Sequence, residues 1–174
     1  MNTTYAKYLA DECNAVDSIF RGKSFMPYIG YQSWHFNTNA GTNKEDSRII
    51  NAKNAKKSAL EYFKKAQKSS SNKDKKNYTK KGLTQLGLAL HATQDIYAHT
   101  PAVCSYTVTP IYSQWGIIGY VKYWSHPKKK NGVEVDSAEA HKNVIFGSVK
   151  NETKSIIKSA TDQYPYLKTK NALW

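Results

Sequence analysis

The segment from Asn77 to His99 constrains the fold more than any other part of the chain. Its apolar residues recur at helical spacing and form one stripe: Leu83, Leu86, Leu90 and Ile96. Gly87 and Ala89 leave room for the close approach of a neighbouring helix. Pro101 then ends the segment, because proline lacks a backbone N–H and clashes with the preceding turn. The pattern predicts a long amphipathic helix whose apolar stripe is covered by other helices.

Three further segments have a helical period. They run from Thr4 to Phe20, from about Glu45 to Gln67, and from Asp136 or Ser137 to about Ala160. Residues 103–125 are instead rich in aromatic and β-branched side chains, which fits either a β-hairpin or an irregular loop. We therefore predict an all-α bundle of about four to five helices with this β-like or irregular insertion. The length of 174 residues predicts a single domain, 1–174.

The chain is strongly basic, with 26 lysines and arginines against 13 carboxylates and a net charge of +13. Such a charge favours anionic partners such as a phospholipid surface or nucleic acid, although lysines also simply keep a surface soluble. Most of the cations are lysines, which act as point charges and do not read base sequence. No apolar stretch reaches the roughly 18 residues of a transmembrane helix, and the N-terminus has no signal-peptide pattern.

A polar stripe runs along the helix of residues 77–99. His91, Asp95 and His99 are spaced four residues apart, and each step advances about 400°, so the three face one direction. Imidazole and carboxylate are zinc ligands, and His91 and Asp95, one turn apart, can hold the same ion. His99 lies about 12 Å from His91 along the axis, which implies a second metal. The alternative is a set of polar residues on a solvated helix face.

The segment Leu86-Gly87-Leu88-Ala89-Leu90-His91-Ala92-Thr93-Gln94-Asp95 resembles the central helix of the zinc-dependent phospholipases C and the fungal single-strand-specific zinc nucleases. Trp34-His35-Phe36 is similar to the His-Phe element that precedes this helix in the phospholipases. The resemblance covers roughly residues 33–100. It implies a small, divergent bacterial relative with an all-helical fold around a zinc cluster.

The resemblance implies that His35, His91 and Asp95 are ligands of a first zinc ion. The family site also takes an aspartate upstream of the His-Phe element, for which Asp17 is the candidate and Asp11 the alternative. This aspartate would be either a metal ligand or the general base that activates a water molecule.

His99 would begin a second zinc site, completed by residues after the aromatic segment: His126, Asp136, Glu139 and His141. The phospholipases complete this site with a His-x-x-x-Glu pair, but Ile145 stands four residues after His141. His126 with Asp136, or His141 with Asp136 or Glu139, would have to substitute. A third ion takes an early histidine in the family, and no histidine precedes His35. Two zinc ions are expected, with one or three as alternatives.

These features predict a zinc-dependent phosphodiester hydrolase, phospholipase C-like or nuclease-like, acting on an anionic substrate with peripheral membrane contact as a further option. The rival prediction is a non-catalytic, zinc-stabilised domain that binds an anionic surface or partner. Cys13 and Cys104 could form one disulfide or remain two buried thiols. The disulfide, together with the family, would suit a secreted or cell-surface bacterial protein.

Overall fold

The fold is an α-helical bundle in the computed structural model, which describes residues 1–18, 33–98, 105–114, 116–125, 129–130, 133–134 and 145–169. The helices are α1 (Thr3–Ser18), α2 (Ser47–Lys68), α3 (Asn72–Ala98) and α4 (Ile145–Gln163), and a 3-10 turn follows at Pro165–Lys168. The all-α prediction is confirmed. The prediction of one domain over 1–174 stays a prediction.

The central helix of the bundle is α3, which packs against α2, α1 and α4. The core between these helices is apolar, with Tyr5, Leu9, Phe63, Leu83, Leu86 and Leu167 among its most buried residues. The stripe predicted for α3 therefore does face the core, except that Ile96 is half-buried.

Helix boundaries follow local capping. The Asp46 carboxylate accepts a hydrogen bond from the Arg48 backbone N–H at 2.9 Å and caps the start of α2. Helix α3 begins at Asn72, five residues before its predicted start, and extends into the lysine-rich run. The predicted start of the last helix falls on residues 135–144, outside the described residues.

Gly87 sets the distance between α1 and α3. A Cβ atom at this position would lie 2.9 Å from the Glu12 Cβ and 3.0 Å from the Cys13 backbone nitrogen. Real Cβ atoms essentially never come closer than 3.0 Å to such neighbours. Helix α1 could therefore not lie this close to α3 if position 87 carried a side chain. The contact lies one turn before His91, and it confirms the close packing predicted at Gly87.

The aromatic insertion is a β-hairpin. Strands β1 (Ser105–Ser113) and β2 (Gly116–Ser125) pair antiparallel from Ser105 opposite Ser125 to Ser113 opposite Gly116, with a bulge between Ile111 and Tyr112. Of the two alternatives left by the sequence, the β-like one is therefore correct. Two short strands, β3 (Lys129–Lys130) and β4 (Val133–Glu134), form a second antiparallel pair. Among the described residues, no helix has the length and apolar character needed to cross a bilayer.

Candidate metal centre

Three of the predicted ligands meet in the interior of the bundle. The Nδ1 atom of His35 lies 2.8 Å from Asp95 Oδ2 and 3.0 Å from His91 Nε2. The distance from His91 Nε2 to Asp95 Oδ2 is 3.1 Å, so the three atoms form a nearly equilateral triangle. His35, His91 and Asp95 are only 6%, 5% and 8% exposed. Two imidazole nitrogens and one carboxylate oxygen thus converge in a site that is nearly closed to solvent.

Helix α3 supplies His91 and Asp95 one turn apart, as their spacing predicts. His35 comes from residues 33–36, which the first half of α2 holds in place. The Asn51 side-chain amide donates to the Ser33 carbonyl at 2.9 Å, and the Ser47 hydroxyl donates to the Phe36 carbonyl at 3.0 Å. These two bonds flank His35 on either side and attach its backbone to α2.

Arg48 connects α2 to α3 next to the cluster. Its Nη1 donates to the Asp95 carbonyl at 2.5 Å, while Nε and Nη2 donate to the two carboxylate oxygens of Asp46 at 3.1 and 2.6 Å. The Arg48 side chain is only 5% exposed. One buried guanidinium therefore links the N-cap of α2 to the backbone of a candidate ligand on α3. Arg48 was not among the predicted site residues; its one signal in the sequence is that Arg21 and Arg48 are the two arginines among 26 cations.

The donor set and its size both fit a zinc ion. Ligand atoms that are about 2.0–2.1 Å from a tetrahedral zinc are roughly 3.3 Å apart. The observed edges of 2.8 to 3.1 Å would need to open by only a few tenths of an ångström. Without an ion, the same contacts need a proton between each pair, because carboxylate oxygens and unprotonated ring nitrogens only accept hydrogen bonds. His35, His91 and Asp95 are the residues that could hold a metal ion among those described.

Of the other predicted site residues, Asp11 is the one whose side chain the structure describes. Asp11 is exposed on α1 and is not part of the cluster, and the side chain of Asp17, at the end of α1, lies outside the described residues. The second-site candidates also fall outside the described residues: His99, His126, Asp136, Glu139 and His141. Both the identity of the upstream aspartate and the second zinc site therefore stay predictions.

The Cys13 thiol on α1 contacts a side chain of α3 near the cluster in sequence. Cys13 is buried and is not part of a disulfide, and its Sγ is 3.6 Å from the side-chain oxygen of Gln94, the neighbour of Asp95. Its predicted partner, Cys104, lies outside the described residues. The Cys13–Cys104 disulfide and the secreted location that it would suit therefore stay predictions.

Comparisons with protein-family models, with curated proteins and with solved structures each give no match. The resemblance to the zinc phospholipases and nucleases therefore depends on the His-Phe element and the Leu-Gly-x-x-x-His-x-x-x-Asp helix alone.

Proposed function

We propose that His35, His91 and Asp95 bind zinc and that the chain is a zinc-dependent phosphodiester hydrolase of phospholipase C-like or nuclease-like specificity. The observation that supports this proposal is the convergence of two imidazoles and one carboxylate within 3.1 Å in the protein interior. Three protein ligands with a fourth position for water are the usual composition of a catalytic zinc site, whereas structural zinc takes four protein ligands.

Each residue of the cluster has a separate task. The imidazoles of His35 and His91 offer neutral nitrogen ligands, and the Asp95 carboxylate offsets part of the ion's charge. Arg48 fixes the Asp95 backbone and so reduces the motion of the carboxylate. A bound zinc ion would lower the pKa of a coordinated water towards about 7 and polarise a phosphoryl oxygen. Asp17, or Asp11 as the alternative, would accept the proton of that water. His99 would be a ligand of the second ion.

A second candidate function is a non-catalytic domain stabilised by structural zinc. It is favoured by the burial of the cluster, since all three residues are less than a tenth exposed and a substrate needs access. The two functions differ in whether a water or substrate can reach the ion.

The experiment combines metal content, stability and activity. Elemental analysis of the purified protein should find zinc, and His91→Ala and Asp95→Asn should each lose it. Because an ion at about 100 times its dissociation constant stabilises the folded state by roughly 2.7 kcal/mol, loss of zinc should lower Tm by about 5–11 °C. Asp74→Asn, an exposed aspartate in the first turn of the same helix, is the matched control; it should keep full zinc and lower Tm by at most about 4 °C, because a first-turn carboxylate contributes only about 0.3–1 kcal/mol.

Activity is then measured on a chromogenic phosphodiester, phosphatidylcholine, single-stranded DNA and RNA. We expect hydrolysis of at least one, abolished by a chelator and restored by zinc. If both variants keep full zinc and full stability, the cluster is not a metal site. Bound zinc without hydrolysis of any of the four substrates would favour the structural domain.

A further inference from the structure

The positive charge of the protein is concentrated in the α2–α3 hairpin. Residues 53–81 contain eleven lysines but only two carboxylates, Glu61 and Asp74, which gives a net charge of +9 out of the total of +13. Because most of the remaining chain is nearly neutral, the field of the protein is strongest at this hairpin. An anionic partner would therefore be attracted here first.

Four of these lysines form a straight line on α2, which we call the lysine stripe: Lys53, Lys57, Lys64 and Lys68. At about 100° per residue they fall within an arc of roughly 60°, and they extend over about 22 Å of helix. All four are exposed. The opposite side of α2 is the buried one, formed by Ala55, Ala59, Phe63 and Ala66. The stripe therefore occupies the outermost face of the helix.

A shallow, open groove of about 410 Å³ runs beside the stripe. It is lined by Lys53, Lys57 and Lys64 of the stripe together with Lys56, Leu60 and Tyr164. Two carboxylates act on this surface: Glu61 lines the groove, and Glu45 pairs with the Lys53 ammonium at 2.6 Å. Four groove lysines against these two carboxylates leave the surface positive, and Leu60 gives it an apolar part.

We propose that the lysine stripe and its groove bind a single strand of nucleic acid through its phosphates. The charges follow one line, which matches one phosphodiester backbone better than the two backbones of a duplex. Lysine ammonium groups bind phosphates as point charges without reading bases, so the binding is independent of sequence. The groove beside the line gives space for the sugars and bases of the same strand.

An anionic membrane fits this surface less well. Peripheral membrane proteins usually add several apolar side chains that insert between the lipids. Among the described side chains, Ile50 is the only exposed large hydrophobic one, and it precedes the stripe. The stripe lies on the exposed face of α2, whereas Arg48 is buried, and the far end of the stripe is 20 residues from Arg48, about 30 Å along the helix axis. It is therefore a surface separate from the metal centre, and its binding requires no zinc.

The salt dependence of binding follows from the number of phosphates contacted. Each contact on a single strand contributes about −0.7 to the slope of log K against log salt, so the four stripe lysines contribute about −2.8. Between 50 and 200 mM salt the affinity should therefore fall about 50-fold.

The test compares two fourfold variants with the same net charge of about +9. In the stripe variant the four stripe lysines are replaced by glutamine: Lys53, Lys57, Lys64 and Lys68. In the control variant glutamine replaces four exposed lysines that are not in the stripe: Lys7, Lys81, Lys150 and Lys154. Glutamine keeps helix propensity nearly equal to that of lysine, and circular dichroism checks the fold. A third variant replaces the four stripe lysines by arginine, which keeps the charge.

Binding is measured by fluorescence anisotropy with a labelled oligothymidylate, checked for integrity on a denaturing gel. We expect the stripe variant to lose at least tenfold in affinity at 50 mM salt and most of the salt slope. The control should lose less than threefold, and the arginine variant should bind like the original protein. Equal losses in the stripe and control variants would overturn the proposal. So would tighter binding of duplex DNA, or binding of phosphatidylserine vesicles without binding of the oligonucleotide. None of these outcomes bears on zinc content or hydrolysis.

Discussion

Arg48→Met tests the connection between α2 and the candidate metal centre. Methionine keeps much of the aliphatic length of arginine but removes the positive charge and the hydrogen bonds described above, two to Asp46 and one to the Asp95 carbonyl. The Asp46 carboxylate, which is 16% exposed, would lose its cation, and the Asp95 carbonyl would lose the hydrogen bond from Arg48. Both remaining acceptors would be left in a mostly buried environment.

The expected cost follows from these two losses. Removing one partner of a buried ion pair costs about 3–5 kcal/mol, and a buried carbonyl without a donor alone costs about 1–3 kcal/mol. Because the Asp46 carboxylate still caps α2 and is partly exposed, we expect a loss near the lower limit, about 3–4 kcal/mol. For a domain of this size that lowers Tm by roughly 6–16 °C. Loss of the Asp95 anchor should also weaken zinc binding about 10–100-fold.

The assays are thermal unfolding by circular dichroism and zinc titration against a competing chelator. Asp46→Asn, alone and combined with Arg48→Met, separates the two contacts, because the double variant has no Asp46 charge to leave unpaired and still lacks the Arg48 hydrogen bond to the Asp95 carbonyl. Lys53→Met is the control, since it removes an exposed ion pair on the same helix. If Arg48→Met melts within 2 °C of the original protein and binds zinc equally well, Arg48 does not position the centre (a 2 °C shift is about 1 kcal/mol or less).

Two further predictions concern stability. Gly87→Ala should lower Tm. Overpacking against the backbone at Cys13 costs about 1–3 kcal/mol, whereas alanine regains only about 0.5–1 kcal/mol of helix propensity. An unchanged or higher Tm would contradict the close approach of α1 to α3. Hydrogen bonds from Lys158 and then Lys168 lower the pKa of Asp162 to about 2, from an ordinary value of 3.8. The depressed pKa means that this carboxylate contributes stability above pH 3.8 that is lost as the pH falls towards 2. Asp162→Asn should therefore flatten the loss of stability in urea unfolding between pH 5 and 2, and an unchanged pH profile would refute the pairing.

The helical spacing determined that His91 and Asp95 share one face of α3, because the geometry of a single helix depends only on residues close in the chain. The same local information predicted the bundle class, the extent of α2 to within two residues, and the need for a glycine at a close helix contact. Composition alone left residues 103–125 as either hairpin or loop, since β-branched and aromatic residues suit both. Pairing between the two strands decided in favour of the hairpin and set its bulge.

Only the tertiary structure decided which residues complete the centre. His35 is 60 residues from Asp95 along the chain. It lies next to Asp95 because side chains of α2 donate hydrogen bonds to the carbonyls of Ser33 and Phe36 on either side of it. No periodicity of the sequence encodes such a contact, and the resemblance to zinc enzymes alone suggested it. Arg48 is a charged residue, a type usually found at the surface, yet the packing of α2 on α3 buries it between Asp46 and the Asp95 carbonyl. A basic residue among many lysines becomes part of a buried centre only where two helices bring its acceptors together, and that is a property of packing rather than of local sequence.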